Sequence, residues 1–178
     1  NDHGVGGASV ERIAATLALT KGSFYHHHDT KHALIDDCFE RSFALIRGVQ
    51  WAALGQGAAG AGGWSTLLAA TLPLLALHTA PQGPLLRLTA WTELPGALRW
   101  QKYTTMSRLC ERYAAMVVAG QADGSLRLLD PAVAAQLISG LINGLAEVEH
   151  WLPGDTPPDL QTLLARPLLL GLLAPPAA

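Results

Sequence analysis

The stretch from Ser9 to His28 reads SVERIAATLALTKGSFYHHH, and it decides the fold of the amino-terminal part. Ser9 is a favourable N-cap, which predicts that a short helix begins directly after it. Apolar side chains then recur on one face of that helix, at Val10, Ile13, Ala14 and Leu17. Thr20 can cap a second helix shortly afterwards, and this tight spacing is typical of a helix-turn-helix.

The second helix of this stretch carries side chains that suit DNA. Leu19 and Phe24 are expected to face the core. The outer surface is then left to Lys21, Gly22, Ser23, Tyr25 and His26. The first turn of a helix offers free backbone N–H groups to phosphate, and lysine and tyrosine side chains add phosphate contacts. Thr30 is expected to cap the next helix and to place Lys31 beside the DNA backbone.

These residues resemble the DNA-binding signature of the TetR (tetracycline-repressor-like) family of regulators. The resemblance runs from Gly4 to Leu45 and is carried by Ser9-Val10, Ile13-Ala14, Leu19-Thr20-Lys21-Gly22-Ser23-Phe24-Tyr25-His26-His27 and Lys31-His32-Ala33-Leu34. It implies a homodimer with an amino-terminal helix-turn-helix and a helical ligand domain, in a chain that begins near the end of the family's first helix. It also implies that the residues at or near DNA are Ser9, Thr20, Lys21, Gly22, Ser23, Tyr25, His26 and Lys31.

Two residues depart from the family pattern. Ala18 stands where glycine is common in the turn between the helices, so we expect a turn that avoids positive φ or carries some strain. His28 stands where a buried phenylalanine is usual, so we expect a less apolar corner that is more sensitive to pH.

The chain is rich in apolar residues and poor in charged ones. Apolar residues make up 49% of the 178 residues and charged residues 15%, which excludes a disordered chain. The net charge of -2 argues against nucleic-acid binding, because phosphate contacts need Lys and Arg. Residues 1–47 are near neutral, with five Lys/Arg, six Asp/Glu and five of the seven histidines.

Helix-length segments separated by Pro and Gly follow along the whole chain. Residues 55–63 are glycine-rich and predict a flexible connector. Helices are expected after the DNA-binding segment near residues 30–54, 65–80, 84–93, 96–121, 131–152 and 157–173, with proline kinks at Pro73 and Pro167. No segment shows the alternation of a strand. The expected fold is all-α, with a helix-turn-helix domain at residues 1–47 and a ligand-sensing and dimerisation domain at residues 48–178.

The second domain holds the expected effector and dimer contacts. Large apolar side chains in the middle of the chain are most simply core, and a few of them could line a ligand cavity. These candidate ligand residues are Trp64, His78, Trp91, Trp100, Tyr103, Met106, Cys110 and Tyr113. Small residues among leucines allow two helices to approach closely, which favours a four-helix dimer interface over packing within one chain. The candidate dimer residues are Leu137, Gly140, Leu141, Gly144, Leu160, Leu163 and Leu164.

Several other classes of protein are not expected. No phosphate loop, nucleophile elbow or paired-carboxylate motif is present, so the chain is not predicted to be an enzyme. Cys38 and Cys110 are too few for a zinc site, and no metal or cofactor is expected. No apolar run reaches the roughly 20 residues of a membrane span, and no signal peptide is visible, so a soluble protein is expected. The two cysteines are too few and too far apart for a disulfide framework, which fits a reducing cytoplasm, the expected location.

The expected function is therefore a ligand-responsive DNA-binding regulator, a repressor that binds a pseudo-palindromic operator as a homodimer. Its expected partners are double-stranded DNA and a small-molecule effector of unknown identity. The alternative is a helical ligand-binding or scaffold protein that has lost DNA binding. The near-neutral charge of residues 1–47 keeps this alternative open.

Overall fold

The computed structural model describes residues 22, 25–26, 28–57, 60, 62–78, 85 and 88–148. Within these residues all regular secondary structure is helical, which confirms the all-α prediction. The α-helices are α1 (Lys31–Gln56), α2 (Gly62–His78), α3 (Gly96–Ala122) and α4 (Pro131–Val148), and a 3₁₀ helix spans Leu88–Glu93. Most of the predicted helix-turn-helix and all of the predicted helix at residues 157–173 lie outside the described residues.

Side-chain caps set the predicted starts of α1 and α4. The Thr30 hydroxyl oxygen accepts a hydrogen bond from the Ala33 N–H at 3.1 Å, directly before α1. An Asp130 carboxylate oxygen accepts from the N–H groups of Ala132 and Val133 at 2.9 and 3.0 Å, and Pro131 opens α4. Both caps satisfy N–H groups that have no partner inside the helix, so both predicted helix starts are confirmed.

The glycine-rich connector predicted for residues 55–63 is shorter than expected. Helix α1 continues to Gln56, and α2 begins at Gly62. The first N–H groups of α2 are capped by a turn that is distant in sequence: Gly63 donates to the Asp123 carboxylate at 2.6 Å, and Trp64 donates to the Ser125 hydroxyl at 3.0 Å. These bonds supply the cap that the glycines themselves cannot provide.

A close approach between α2 and α3 explains one of these glycines. A Cβ atom on Gly63 would lie 2.1 Å from the Gly120 Cα, so the backbone of α3 leaves no room for a side chain at position 63. The glycines of residues 55–63 predict a flexible connector, but Gly63 allows α2 to pack closely against α3 instead.

The helix predicted for residues 84–93 is also corrected. Leu85 is buried outside any helix, and the helical part is the 3₁₀ segment Leu88–Glu93. The segment closes with a hydrogen bond from the Leu94 N–H to the Trp91 carbonyl at 3.1 Å, before Pro95 and the start of α3. Short i to i+3 segments of this kind are common as connectors. Helix α2 continues through Pro73.

The chain divides into two compact units. The first unit contains residues 1–43 and 86–105, and the second contains residues 44–85 and 106–178. The buried apolar side chains of the first unit are Ile35, Phe39, Phe43, Ala90 and Leu94. The Phe39 ring lies 5.8 Å from the Phe43 ring and meets the Trp91 ring edge-on at 6.2 Å. The domain boundary near residue 47 stays a prediction.

The second unit has a larger apolar core, in which α2 packs against α4. Its buried members come from α1, α2, α3, α4 and the segments between them: Ala53, Leu67, Ala70, Leu74, Leu75, Leu85, Cys110, Tyr113, Met116, Val117, Leu126, Ala134, Ala135, Ile138 and Ile142. Among the described helices, none is both long enough and apolar enough to cross a membrane.

Candidate DNA-binding and effector sites

The structure describes half of the candidate DNA-binding residues. Gly22, Tyr25 and His26 are helical and exposed, and the Tyr25 side chain is 44% exposed. Lys31 is the first residue of α1 and is half-buried. The remaining candidates, Ser9, Thr20, Lys21 and Ser23, lie outside the described residues. The role of all eight stays a prediction, and an exposed Tyr25 is compatible with it.

His28, the residue that departs from the family pattern, contacts α1. Its Nδ1 atom lies 3.2 Å from a carboxylate oxygen of Asp37. The His28 side chain is mostly buried, and the Asp37 carboxylate is exposed. The contact is an ion pair only in the protonated form of the imidazole.

Lys102 forms a buried charged contact inside the first unit. Its ammonium is fully buried and lies 2.8 Å from a carboxylate oxygen of Asp36, and it also donates to the Glu40 carboxylate. Burial by itself lowers the pKa of Lys102, but hydrogen bonds and charges from Asp36 and Glu40 outweigh burial, so the pKa is raised. The lysine therefore stays charged in the folded protein. We call Asp36, Glu40 and Lys102 the ion triad.

Three of the candidate ligand residues lie in the first unit and form a ring cluster. Trp100 stacks on Tyr103 with the ring centroids 5.5 Å apart, and Tyr103 meets Trp91 edge-on at 6.5 Å. Trp100 is 70% exposed and Tyr103 is 54% exposed, so the outer rings of the cluster face solvent. The stack is a surface feature of the first unit.

The other candidate ligand residues belong to the second unit. Cys110 and Tyr113 are buried, and Trp64 and Met106 are half-buried against the same core. His78 ends α2, and its side chain lies outside the described residues. The candidates are thus divided between the two units, and their role in ligand binding stays a prediction.

Buried polar groups converge between the helices of the second unit. The Gln50 side chain is fully buried and donates to the Leu109 carbonyl at 3.0 Å. Arg112 reaches the Gln50 side-chain oxygen at 3.5 Å, and its guanidinium lies 5.3 Å from the ring centre of Trp51. A buried amide with satisfied hydrogen bonds fixes the relation of α1 to α3 in this unit.

Tyr113 lies near Gln50 and connects α3 to α2. Its hydroxyl donates to the Ala70 carbonyl at 2.9 Å. Burial raises the pKa of Tyr113, and side-chain hydrogen bonds with Thr71 and Gln50 oppose the shift without cancelling it. Tyr113 therefore stays neutral. On the next turn, the Cys110 sulfur lies 3.3 Å from the Ser139 hydroxyl of α4. We call Gln50, Thr71, Cys110, Arg112, Tyr113 and Ser139 the polar cluster.

Sequence reasoning found two members of the polar cluster and missed the others. Cys110 and Tyr113 were candidates because they lie on a large apolar stripe. Gln50 could have been found, because it occupies the buried face of α1 together with Phe39, Phe43 and Ala53. A glutamine on an apolar stripe predicts a buried polar contact. Thr71 and Ser139 give no comparable signal.

A separate cavity of about 290 Å³ lies at another place in the second unit. Its described lining residues are Leu54, Gly57, Gly62, Gly63, Thr66, Ala115, Met116, Ala119 and Asp123. None of the candidate ligand residues is among them. The Asp123 carboxylate is exposed, and hydrogen bonds from Ser125 and from the Gly63 N–H lower its pKa.

The outer face of α4 is apolar and carries small residues. Val133 and Leu137 are 51% and 45% exposed, and Gly140 and Gly144 follow on the same face. Leu141 is half-buried beside them. The candidate dimer residues Leu160, Leu163 and Leu164 lie outside the described residues, and Val133 was not among the candidates. An exposed apolar face with glycines allows another helix to approach closely.

Among the described residues, no group of three or more His, Cys, Asp or Glu side chains is arranged to hold a metal ion. The described part of the chain therefore presents the exposed candidate residues Gly22, Tyr25 and His26, the ion triad, the polar cluster and the exposed face of α4.

Known proteins share both the amino-terminal residues and the fold. Residues 1–38 match the model of the bacterial regulatory proteins of the tetR family. The solved structure of AibR in complex with isovaleryl coenzyme A and operator DNA is similar, with a TM-score of 0.72 and 20% identity, over 96% of this chain and 90% of that chain. The chain has the TetR-family fold, and its first 38 residues match the family model. The resemblance inferred from the sequence is confirmed.

Other structures share the TetR-family fold. A bacterial regulatory protein of the tetR family from Rhodococcus RHA1 has a TM-score of 0.71 and 19% identity, over 93% of this chain and 85% of that chain. The superantigen PfiT has a TM-score of 0.65 and 16% identity, over 95% of this chain and 87% of that chain. A comparison with curated protein sequences finds no match. At these identities the structural likeness concerns the fold. TetR-family regulators are non-enzymatic transcription factors, as predicted for this chain.

Proposed function

We propose that this protein is a transcriptional repressor that binds a pseudo-palindromic operator as a homodimer and releases it when a small molecule binds. The observation that carries the proposal is the family match over residues 1–38, which contain the candidate DNA-binding residues, in a chain with the TetR-family fold. DNA is in the cytoplasm of a bacterium, so a cytoplasmic location is part of this proposal.

The exposed face of α4 supports the homodimer. Val133, Leu137, Gly140 and Gly144 provide an apolar surface on which the same helix of a second copy can pack about a twofold axis. A twofold dimer presents two recognition helices, and two successive major grooves lie about 34–36 Å apart. The symmetry of the dimer then selects an operator with two inverted half-sites.

The polar cluster supports effector binding in the second unit. It brings a tyrosine hydroxyl, a glutamine amide and an arginine side chain together among apolar core residues, which is the usual composition of a small-molecule site. AibR, whose fold this chain shares, has been crystallised with isovaleryl coenzyme A and operator DNA. An effector releases DNA only when it binds the two states of the dimer with unequal affinity. We expect α1 to carry this effect, because it begins at the candidate DNA-binding residue Lys31 and also contributes Gln50 to the polar cluster.

Selection of DNA by the full chain tests the proposal. The protein is mixed with a random-sequence duplex pool at low salt, and the retained duplexes are sequenced. We expect inverted half-sites, and a binding constant that falls as salt increases. If no sequence is enriched even at low salt, the repressor proposal is wrong.

Substitutions in residues 9–31, which contain all eight candidate DNA-binding residues and which we call the DNA-facing segment, sharpen this test. Lys21→Ala should weaken binding to all sequences and reduce the salt dependence by about one counterion, because it removes one phosphate contact. Tyr25→Ala should also weaken binding, and neither change should alter dimerisation. Arg108→Ala is the control, because it removes an exposed cation from α3 outside the DNA-facing segment. Equal affinity of Lys21→Ala, Tyr25→Ala and the control would contradict the assigned contacts.

A second candidate function is a helical ligand-binding or scaffold protein without DNA binding. Its support is the near-neutral charge of residues 1–47, together with the fold shared with the superantigen PfiT. The DNA selection distinguishes the two functions, since a scaffold protein enriches no sequence.

A further inference from the structure

The cavity of the second unit lies where three helices meet. Its walls come from the last turn of α1, the first turns of α2 and the second half of α3, which contribute Leu54, Gly62, Thr66, Ala115 and Met116. No member of the polar cluster is among its described lining residues, so it is separate from the site proposed for the effector. Ala115 is exposed, so the cavity opens to solvent beside α3.

The size of this cavity suits a ligand with a compact apolar part. Its volume is about 290 Å³. Glycine and alanine residues form much of the described lining, and Leu54 and Met116 supply the larger apolar side chains. An apolar cavity of about 150 Å³ can hold one benzene molecule. The space here therefore accommodates an apolar group of the size of a ring together with a short chain.

Asp123 brings a negative charge to this apolar space. It is the only charged residue among the described lining residues. Hydrogen bonds from Ser125 and Gly63 lower the pKa of Asp123, so its carboxylate is ionised at neutral pH. Among the described residues, no lysine, arginine or histidine forms an ion pair with it. The described part of the cavity thus combines an apolar surface with a charge that lacks a counter-ion.

The hydrogen bonds at Asp123 favour a cation over an anion. One carboxylate oxygen accepts from the Gly63 N–H at 2.6 Å, and the other accepts from the Ser125 N–H at 2.9 Å. A carboxylate offers about four acceptor positions, so it can still accept from the N–H groups of a ligand. The N–H groups of Gly63 and Trp64, to which an anion would bind at the start of α2, are already bonded to Asp123 and Ser125. The carboxylate would also repel an anion.

We propose that this cavity is a second small-molecule site, which binds an organic cation made of an ammonium group and a compact apolar body. The ammonium donates to the Asp123 carboxylate, and the apolar body contacts Leu54 and Met116. Binding at this site requires neither DNA nor the polar cluster. The inference therefore goes beyond the proposed function and does not rest on it.

Phenethylammonium is a suitable probe, because it combines an ammonium group with one aromatic ring on a short chain. Two analogues of similar size change the polar end: phenethyl alcohol is neutral, and hydrocinnamate is an anion. Two-dimensional NMR of the isotope-labelled full chain follows each titration, and the Gly63 amide reports directly because its N–H bonds Asp123. We expect saturable shifts at residues 62–64 and 115–125. The cation should bind at least about threefold more tightly than either analogue.

Two variants of the full chain test the charge and the space separately. Asp123→Asn removes the charge and keeps an oxygen that can accept from the Gly63 N–H. Its matched control is Asp130→Asn, because Asp130 is also an exposed aspartate that accepts from two backbone N–H groups, and it does not line the cavity. Ala115→Leu fills the cavity and leaves the cap of α2 intact. Its control is Ala52→Leu, at an exposed position of α1 that does not line the cavity.

Asp123→Asn should weaken the binding of phenethylammonium by at least about threefold and remove its preference over phenethyl alcohol. Ala115→Leu should weaken binding by at least about tenfold, because the leucine side chain occupies the space of the ring. Both controls should bind the probe as the wild-type protein does.

The proposal is overturned if phenethylammonium causes no saturable shift around Gly63, or if either analogue binds as tightly as the cation. It is also overturned if Asp123→Asn and Ala115→Leu bind the probe as their controls do. The comparison of the three probes uses the wild-type protein alone, so it decides the role of charge even if neither variant folds.

Discussion

If the protein forms the proposed dimer through α4, replacing Gly140 by leucine should separate the two subunits without destabilising the subunit itself. Gly140 is exposed on α4, and a Cβ atom there would meet no other atom within 4 Å. Leucine also favours a helix over glycine by roughly 0.5–1 kcal/mol. The isolated subunit should therefore be as stable as the wild-type protein or slightly more stable.

The cost of this substitution falls on the interface. Each side chain inserted into a close helix contact costs about 1–3 kcal/mol, and twofold symmetry inserts a leucine from both copies. The proposed dimer should thus lose about 2–6 kcal/mol of association free energy, which raises its Kd by about 30-fold to about 20,000-fold. Operator affinity should fall with it, because a monomer contacts a single half-site.

Sedimentation velocity over a dilution series measures this shift in Kd, and circular dichroism confirms that the helices remain. Gly48→Leu is the matched control, because Gly48 is also helical, exposed and free of neighbours within 4 Å of a Cβ atom, on α1. If Gly140→Leu dissociates no more readily than Gly48→Leu, the exposed face of α4 is not the dimer interface.

Two further predictions concern stability. Asp130→Ala should lower the free energy of unfolding by about 1 kcal/mol, because the N–H groups of Ala132 and Val133 lose their cap. Urea unfolding measures this change. Asp130→Asn is the control and should retain most of the stability, because asparagine is also a favourable N-cap. Tyr113→Phe should cost about 1–3 kcal/mol at neutral pH, because the Ala70 carbonyl loses its donor. Burial raises the pKa of Tyr113 above its ordinary value of 10.0. The neutral Tyr113 hydroxyl therefore makes its full contribution to the free energy of unfolding below pH 10.0, and this contribution is lost as the pH rises through the folded-state pKa. The stability difference between wild type and Tyr113→Phe should therefore narrow above pH 10.0, and a constant difference would refute this reasoning.

Local signals predicted the parts of the fold that depend on neighbouring residues. Thr30 and Asp130 marked the starts of α1 and α4, because an N-cap acts on N–H groups two or three residues away. The all-α class followed from helical spacing of apolar residues, which needs no knowledge of the partner surface. The string from Thr20 to Tyr25 pointed to the TetR family for the same reason, since a helix-turn-helix is a short and nearly continuous motif.

Predictions failed where a distant segment decides the local conformation. The glycines of residues 55–63 indicated a flexible connector, but Asp123 and Ser125, which are 60 and 61 residues away from their partners, cap α2 at Gly63 and Trp64. The prolines around residues 84–93 indicated a helix start, but the chain forms a 3₁₀ segment there before α3. Neither outcome can be deduced from neighbouring residues.

The sequence by itself determined the helical class, the resemblance of the amino-terminal residues to the TetR family and the starts of α1 and α4. These features depend on side chains that are close together along the chain. Only the tertiary structure decided which polar side chains are buried. Lys102 looks like an ordinary surface residue in the sequence, and the apolar stripe around Gln50 predicts burial of that side chain but does not name its partner. Lys102 bonds Glu40, which is 62 positions distant, and Gln50 bonds Leu109, which is 59 positions distant. Burial of a charge or an amide is favourable only when such a partner is in place, and the fold alone supplies it.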